Sequence, residues 1–320
     1  MNRTNIVNAL KSANFQKIYQ KADAVRKREK GDVVFIRAII EFSSYCVMPC
    51  KYCGLNRENP NAVRYRMSFE DMVEVVDDAI AAGYKTIVLQ GGEDPVFADG
   101  TILEKVIRHI KGVDKDVAVT LSAGELRRDV LFRLKNAGAD RFLLRHETSD
   151  ENLYEALHPG HNFQERAKVL QDLKELGYET GSGFMVGIPG QSIESLADDL
   201  LFLEKIHCHM AGIGPYISHP DTELGGSENG SPEMTKRCVA IARMLLPKAN
   251  LPVTTAVGVL DDEEIKRTFD CGANVIMRKV NPKKYKDAYE IYPAASSETD
   301  IAKERMELEE MIKSIGRIPL

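Results

Sequence analysis

The chain has 320 residues, 43% hydrophobic and 28% charged, with a net charge of −5. This composition supports a large buried core, and the acidic balance leaves no basic footprint for nucleic acid or anionic lipid. No run of about 18 apolar residues exists to span a bilayer, and the opening MNRTNIVNALKSANFQK lacks the apolar centre of a signal peptide, so the cytoplasm is expected.

Residues 1–30 read as a helical extension. The first strand, 33–44, runs VVFIRAIIEFSS and ends on a loop containing SSYCVMPCKYCGLN. Three of the six cysteines sit there, Cys46, Cys50 and Cys53, spaced C-x3-C-x2-C. Cys208, Cys238 and Cys271 are isolated and read as small buried hydrophobes. A long chain without a secretory signal uses clustered cysteines for metal or catalysis rather than disulfides. A helix then opens at Ser68, with Asp71 completing a capping box. Next a unit recurs: AAGYKTIVLQ at 81, NAGADRFLLR at 136, ELGYETGSGFMVG at 175 and DCGANVIMRK at 270. In each, a helix tail meets a glycine (Gly83, Gly138, Gly177, Gly272) suited to a left-handed C-terminal cap. An apolar run follows, as in a strand buried on both faces.

Further strands are predicted at 86–91, 117–123, 141–148, 180–186, 211–217, 253–257 and 274–279. Helices alternate with them near 101–111, 127–137, 164–176, 192–207, 232–246 and 261–271, the 192–207 helix capped by Ser192. Eight such units predict an α/β fold, a TIM (β/α)8 barrel over 33–280. A segment 281–320 follows, with a charged helix at 298–316. No Pro/Gly/Ser linker divides the chain, so one domain over 1–320 is expected.

Active sites of such barrels lie at the C-terminal strand ends, where the cysteine loop falls. Structural zinc closes four ligands and often uses a second cysteine pair, which the chain lacks. A [4Fe–4S] cluster normally takes four thiolates, so three leave one iron open to a small molecule. The spacing, with Tyr52 before the last cysteine, resembles the signature of radical S-adenosylmethionine (SAM) enzymes. In that superfamily the open iron is chelated by the amino and carboxylate groups of SAM, and reductive cleavage yields a 5′-deoxyadenosyl radical.

That resemblance implies cofactor roles along the mouth. Gly92 and Glu93 in LQGGEDP resemble the motif that holds the methionine ammonium. Thr120 and Ser122 in TLSAGE, and Met185 in GFMVG, join this set. Glu147 in LLRHETS would accept the ribose hydroxyls, and Arg166 would pair with the SAM carboxylate. Gly183, Gly187 and Gly190 resemble the adenine-supporting segment. Thr254 and Thr255, near Arg141 and Arg145, would form an anion or polar-ligand pocket; of Tyr285, Tyr289 and Tyr292, Tyr289 is placed in it. His207-Cys208-His209 falls at the other end of the barrel and reads as structural.

The blocks KTIVLQGGEDP, GADRFLLRHET, LKELGYETGSGFMVGIPGQS and LPVTTAVG, with the cysteine segment, resemble the HydE-type maturases of [FeFe]-hydrogenase over residues 30–293. The resemblance implies a cysteine-bound organometallic iron substrate, HydG-like and HydF-like partner maturases, and a ferredoxin or flavodoxin as electron donor. No cysteine follows Cys271, so it implies no accessory cluster. A methylornithine synthase-like mutase and a non-enzymatic iron–sulfur carrier stand as alternatives. A biotin synthase role ranks below them, because the isolated cysteines sit on helices or helix ends.

Overall fold

The computed structural model describes residues 1–294, 298 and 300–320. Helices α1 (Arg3–Leu10) and α2 (Gln16–Lys30) precede the longest strand, β1 (Val33–Ser43). Side chains alternate across it. Ile36, Ala38, Ile40 and Phe42 enter the core beneath the helices, while Arg37, Ile39 and Glu41 face the barrel interior. Helix α3 (Phe69–Ala81) begins at the predicted box: Ser68 accepts from the Asp71 N–H, and the Asp71 carboxylate accepts from the Ser68 N–H.

The repeated units follow: β2 (Thr86–Gly91), α4 (Thr101–Val113), β3 (Ala118–Ser122), α5 (Arg128–Ala137), β4 (Arg141–Leu143), α6 (Glu151–Leu157) and α7 (Phe163–Glu175). Then come β5 (Glu179–Ser182), β6 (Met185–Val186), α8 (Ile193–Lys205), β7 (Met210–Ala211), β8 (Gly214–Pro215) and α9 (Pro232–Leu245). The set ends with β9 (Pro252–Val253), α10 (Thr255–Leu260), α11 (Asp262–Phe269) and β10 (Val275–Lys279). The strands order as β7-β5-β4-β3-β2-β1-β10-β9, each neighbour parallel. Between β7 and β9 the Ala211 N–H reaches the Asn250 carbonyl at 3.0 Å, and the Asn250 N–H reaches that of His209 at 2.8 Å. These bonds bring the sheet close to closure as the predicted (β/α)8 barrel.

Strand lengths at the mouth differ from expectation. The predicted 141–148 strand keeps a regular ladder only to Leu143, because the His146 and Glu147 N–H groups both bond the Gly183 carbonyl at 3.0 Å. Two residues there oppose one, which breaks the ladder and re-aims the side chains. The predicted 253–257 strand stops at Val253; Thr254 is the N-cap residue of α10 and Thr255 its first residue. The predicted 180–186 strand splits into β5 and β6, and β6 pairs with β8 instead.

After β10 come α12 (Lys283–Lys286), α13 (Ile301–Ser314) and β11 (Ile318–Pro319). α13 is the predicted 298–316 helix; Thr299 in its expected first turn, and residues 295–297, lie outside the described residues. β11 was not expected. It pairs with Val33–Val34, and the Leu320 carbonyl accepts from the Ile36 N–H at 2.7 Å, extending the sheet at the start of β1. No described helix is long and apolar enough to cross a membrane.

One buried cation fastens the last units. Arg243 of α9 is fully buried and donates to the carbonyls of Gly272 (2.9 Å), Pro247 (2.9 Å) and Ala249 (2.7 Å) and to Asn274 Oδ1 (2.8 Å). Arg243→Met keeps the aliphatic length but strands these acceptors, so a loss of about 3 kcal/mol is expected. The check is a lower urea midpoint at unchanged slope.

Candidate active site

Cys46, Cys50 and Cys53 are free thiols lining a cavity of about 320 Å³ enclosed by the strand ends. Burial raises all three: Cys53 is pushed up to about 12, and Cys50 well above the usual range, where its two neighbouring cysteines add to the effect. Thiols so placed hold their protons until a cation displaces them. Among the described residues no three His, Cys, Asp or Glu side chains converge on a single ion. A cube makes no such demand, since each thiolate takes a separate iron.

The loop carrying the thiols is held by side chains rather than by secondary structure. Arg64 donates to the carbonyls of Ser44 (2.6 Å), Leu55 (2.8 Å) and Asn56 (2.6 Å). Asn56 and Asn59 close the turn by donating to the carbonyls of Cys53 and Gly54, each at 2.7 Å. Asp94, buried just after β2, ties both ends of the loop. It accepts from the Ser43 hydroxyl (2.6 Å), from Arg66 (2.7 and 3.0 Å) and from the Val96 N–H (3.0 Å). Burial pushes the Asp94 carboxyl up, but Arg66, Ser43 and Val96 outweigh it and hold it below its usual range.

The residues expected around SAM assemble in two layers. Tyr52, Gly92, Thr120, Ser122, Glu147 and Met185 line the cavity. Gly92 has no room for a side chain, since a Cβ would collide with the Tyr45 carbonyl and Cys46 Cβ. Glu147 is held at φ 61°, a left-handed conformation that costs a non-glycine residue energy and marks functional sites. Its Oε2, 3.1 Å from Arg145, and the Thr120 hydroxyl are buried without an aligned hydrogen bond among the described residues, which leaves both open to a ligand.

Glu93 and Arg166 stand behind this wall. Arg166 is buried, with Nε 2.8 Å from Glu125 and 3.1 Å from the Tyr154 hydroxyl, and its fork 3.7 Å from Glu93. Burial works against its charge, but Tyr154, Glu125 and Glu93 more than compensate and raise it. Burial raises the Glu93 carboxyl, and Arg166 opposes this. Tyr154 stacks on His158, whose Nε2 lies 2.9 Å from the Tyr52 hydroxyl and whose Nδ1 faces the Tyr154 carbonyl at 2.8 Å. Burial lowers His158 to about 4, so it is neutral, with the proton on Nδ1. A chain of contacts thus joins the cysteine loop to Arg166.

Deeper in, Arg145, Thr254, Thr255 and Tyr289 line the cavity as expected. Arg145 lies 3.1 Å from Glu147 without an aligned hydrogen bond, and Thr255 meets the Tyr292 hydroxyl at 2.5 Å. Arg141 is a correction. It opens β4 at the opposite end of the barrel, bound to Glu179 at 2.6 Å and to the Thr86 hydroxyl at 3.4 Å, and it does not line the cavity. Tyr285 packs at a tilt against Tyr65 and donates to Asp71. The sequence reading missed Arg37, Glu41, Lys279 and Glu125. Arg37 is buried with its Nε unpartnered, and burial with nearby Arg141 lowers it to about 9. Glu41 is fully buried 2.9 Å from Lys279. The signal was present: residues 37, 39 and 41 share the inner face of one strand.

The Radical SAM superfamily model matches residues 40–203. The chain is 49% identical over 276 residues to the [FeFe] hydrogenase maturase subunit HydE of Thermotoga maritima, covering 86% of this chain and 78% of that one. The chain belongs to the radical SAM superfamily, in its HydE group. A 3-methylornithine synthase of Methanosarcina acetivorans is 28% identical, covering 82% of this chain and 73% of that one. The crystal structure of methylornithine synthase (PylB) superposes with a TM-score of 0.89 at 23% identity, over 100% of this chain and 94% of that one, and so shares the fold.

As a radical SAM enzyme it uses a [4Fe–4S] cluster and SAM. The three half-buried thiols at the cavity fit the cluster, and the Thr120 hydroxyl and Glu147 carboxylate beside Gly92, neither with an aligned hydrogen bond at its buried oxygen, fit SAM. Together these cofactors supply a 5′-deoxyadenosyl radical by one-electron cleavage of the S–C5′ bond.

Two variants test this construction. Cys50→Ala is expected to stay folded by circular dichroism while losing the brown visible absorbance after anaerobic reconstitution. Asp94→Asn removes a charged acceptor, with an expected loss of about 1.5–3 kcal/mol at pH 7. Because Asp94 is held below its usual range, its contribution is present above the ordinary carboxylate range and disappears as the pH falls through the lowered value. The wild-type and Asn stability curves therefore converge in acid; a gap persisting there contradicts the ionic role.

Proposed function

We propose that this enzyme acts as a HydE-type maturase in assembly of the diiron site of [FeFe]-hydrogenase. The observation that carries the reading is the 49% identity to HydE over most of both chains, together with a cavity built for a small charged reactant. Its walls offer the cations Arg37, Arg145 and Lys279, the last two beside Glu147 and Glu41, and the thioethers of Met185, Met210 and Met277. Cations suit the carboxylate of a cysteine-bound iron carbonyl–cyanide complex, and soft sulfur suits its iron. Cys46, Cys50 and Cys53 hold the cluster in this scheme. Glu147 accepts the ribose hydroxyls, and Glu93, behind the wall and 3.7 Å from Arg166, serves the methionine ammonium. Arg145, Thr254 and Tyr289 orient the iron substrate. A HydG-like partner supplies that substrate, a HydF-like scaffold receives the product, and all three work in the cytoplasm.

Anaerobic incubation of reconstituted protein with dithionite and SAM is expected to release methionine and 5′-deoxyadenosine; no cleavage points to an iron–sulfur carrier. Leaving the protein out of a reconstituted maturation mixture is expected to abolish hydrogenase activation. Full activation without it, with turnover of an amino-acid skeleton instead, points to a mutase. Glu147→Ala should keep the cluster and weaken SAM binding by about 1.5–3 kcal/mol, roughly ten- to a hundredfold in Kd.

A further inference from the structure

The bulge after β4 holds Glu147 at φ 61°, a conformation that a non-glycine residue keeps only where its surroundings enforce it. The Gly183 carbonyl anchors the bulge from one side, through the N–H groups of His146 and Glu147. From the other side comes Asp199 of α8, a carboxylate that the cavity does not use. It is fully buried, and among the described residues no Lys or Arg pairs with it. Its neighbour Asp198, by contrast, is exposed and paired to Arg3.

One oxygen of Asp199 reaches both flanks of Glu147. Its Oδ1 accepts from the Ser149 N–H and lies 3.5 Å from His146 Nε2. His146 is itself fully buried, against the rings of Phe184 and Phe202. Ser182 donates its hydroxyl proton to the Leu144 carbonyl at 2.9 Å, so it accepts from the His146 Nδ1–H, also at 2.9 Å. This fixes the ring and turns Nε2 to Asp199. Residues 146 and 149 are thus held by one carboxylate, with residue 147 between them. Neither His146 Nε2 nor Asp199 Oδ2 makes an aligned hydrogen bond among the described residues, so burying the pair is destabilising in itself. Apolar side chains of like volume would pack here without that penalty. What the pair contributes is geometry.

We propose that Asp199 and His146 are positioning residues, which clamp the bulge on both sides of Glu147 and so aim its carboxylate at the SAM ribose. The proposal rests on the reading that Glu147 accepts the ribose hydroxyls. Neither Asp199 nor His146 lines the cavity, whereas Glu147 does, so both act through Glu147.

The test uses reconstituted protein under anaerobic conditions, with SAM itself as the probe. Asp199→Asn is nearly isosteric, but its amide has a single acceptor oxygen and no charge. His146→Leu removes the ring and suits the aromatic surroundings. Each is expected to raise the calorimetric Kd for SAM, and the KM of dithionite-driven SAM cleavage, by about fivefold or more. Iron content should be unchanged and kcat should stay within about twofold. Asp198→Asn, one residue away on the surface, should change none of these. Adding either variant to Glu147→Ala should weaken SAM binding by less than about twofold more, because the acceptor they position is already gone. Losses that multiply in the double variants overturn the positioning role. So do Kd values within about twofold of the unmodified protein in both single variants, or an equal loss in Asp198→Asn. Should His146→Leu fail to fold, Asp199→Asn decides by itself. Unchanged SAM affinity in Glu147→Ala overturns the ribose reading, and this inference with it.

Discussion

The structure turns on a single buried carboxylate. The cysteine loop has no regular ladder of its own, yet it must present three thiols at fixed separations inside a polar cavity. Asp94 meets this demand by gripping Ser43, where β1 ends, and Arg66, where the chain returns to α3. Because Asp94 follows β2, the loop is referenced to two adjacent barrel strands and inherits their rigidity. Arg64 then gathers three of the loop's own carbonyls. A buried charge is costly alone; here each lone pair has a directed partner, so the same charge becomes a source of geometry.

The mouth of the barrel is irregular because it is functional. Regular strands cover the lower barrel, but from β4 onward the ladders end early and the chain bulges at Gly183 or turns into α10 at Thr255. Each departure re-aims a side chain towards the cavity: Glu147 in a left-handed conformation, Thr254 at a helix N-cap. The left-handed Glu147 and the unpartnered hydroxyls of Thr120 and Thr254 lie at this mouth.

The cavity contains two chemically distinct regions. Near the cysteines, the layer of Glu93, Arg166, Glu125, Tyr154 and His158 behind the cavity wall is a network in which two carboxylates share one guanidinium. Farther in, Arg37 forms no ion pair among the described residues, Arg145 faces Glu147 at 3.1 Å without an aligned hydrogen bond, and the Thr254 hydroxyl is unpaired. A surplus of carboxylate suits SAM, whose sulfonium gives it a net positive charge. The two regions differ because inward-facing residues on successive strands are chosen independently of the outward-facing core.

By itself, the sequence determined the periodic architecture and the cofactor chemistry. The glycine-capped helix ends and uniformly apolar runs specify parallel units, because only strands buried on both faces lack alternation. The cysteine spacing, local along the chain, made the cluster site legible for the same reason. Tertiary structure alone decided which polar residues face inward. Arg141 and Arg145 lie four residues apart, yet only Arg145 lines the cavity, because Arg141 opens β4 at the far end of the barrel. Arg37, Glu41 and Lys279 gained their importance only when β1 and β10 paired and closed their inner faces on a common space. The C-terminal strand under β1 depends on a partner almost three hundred residues away, a contact that no local pattern encodes.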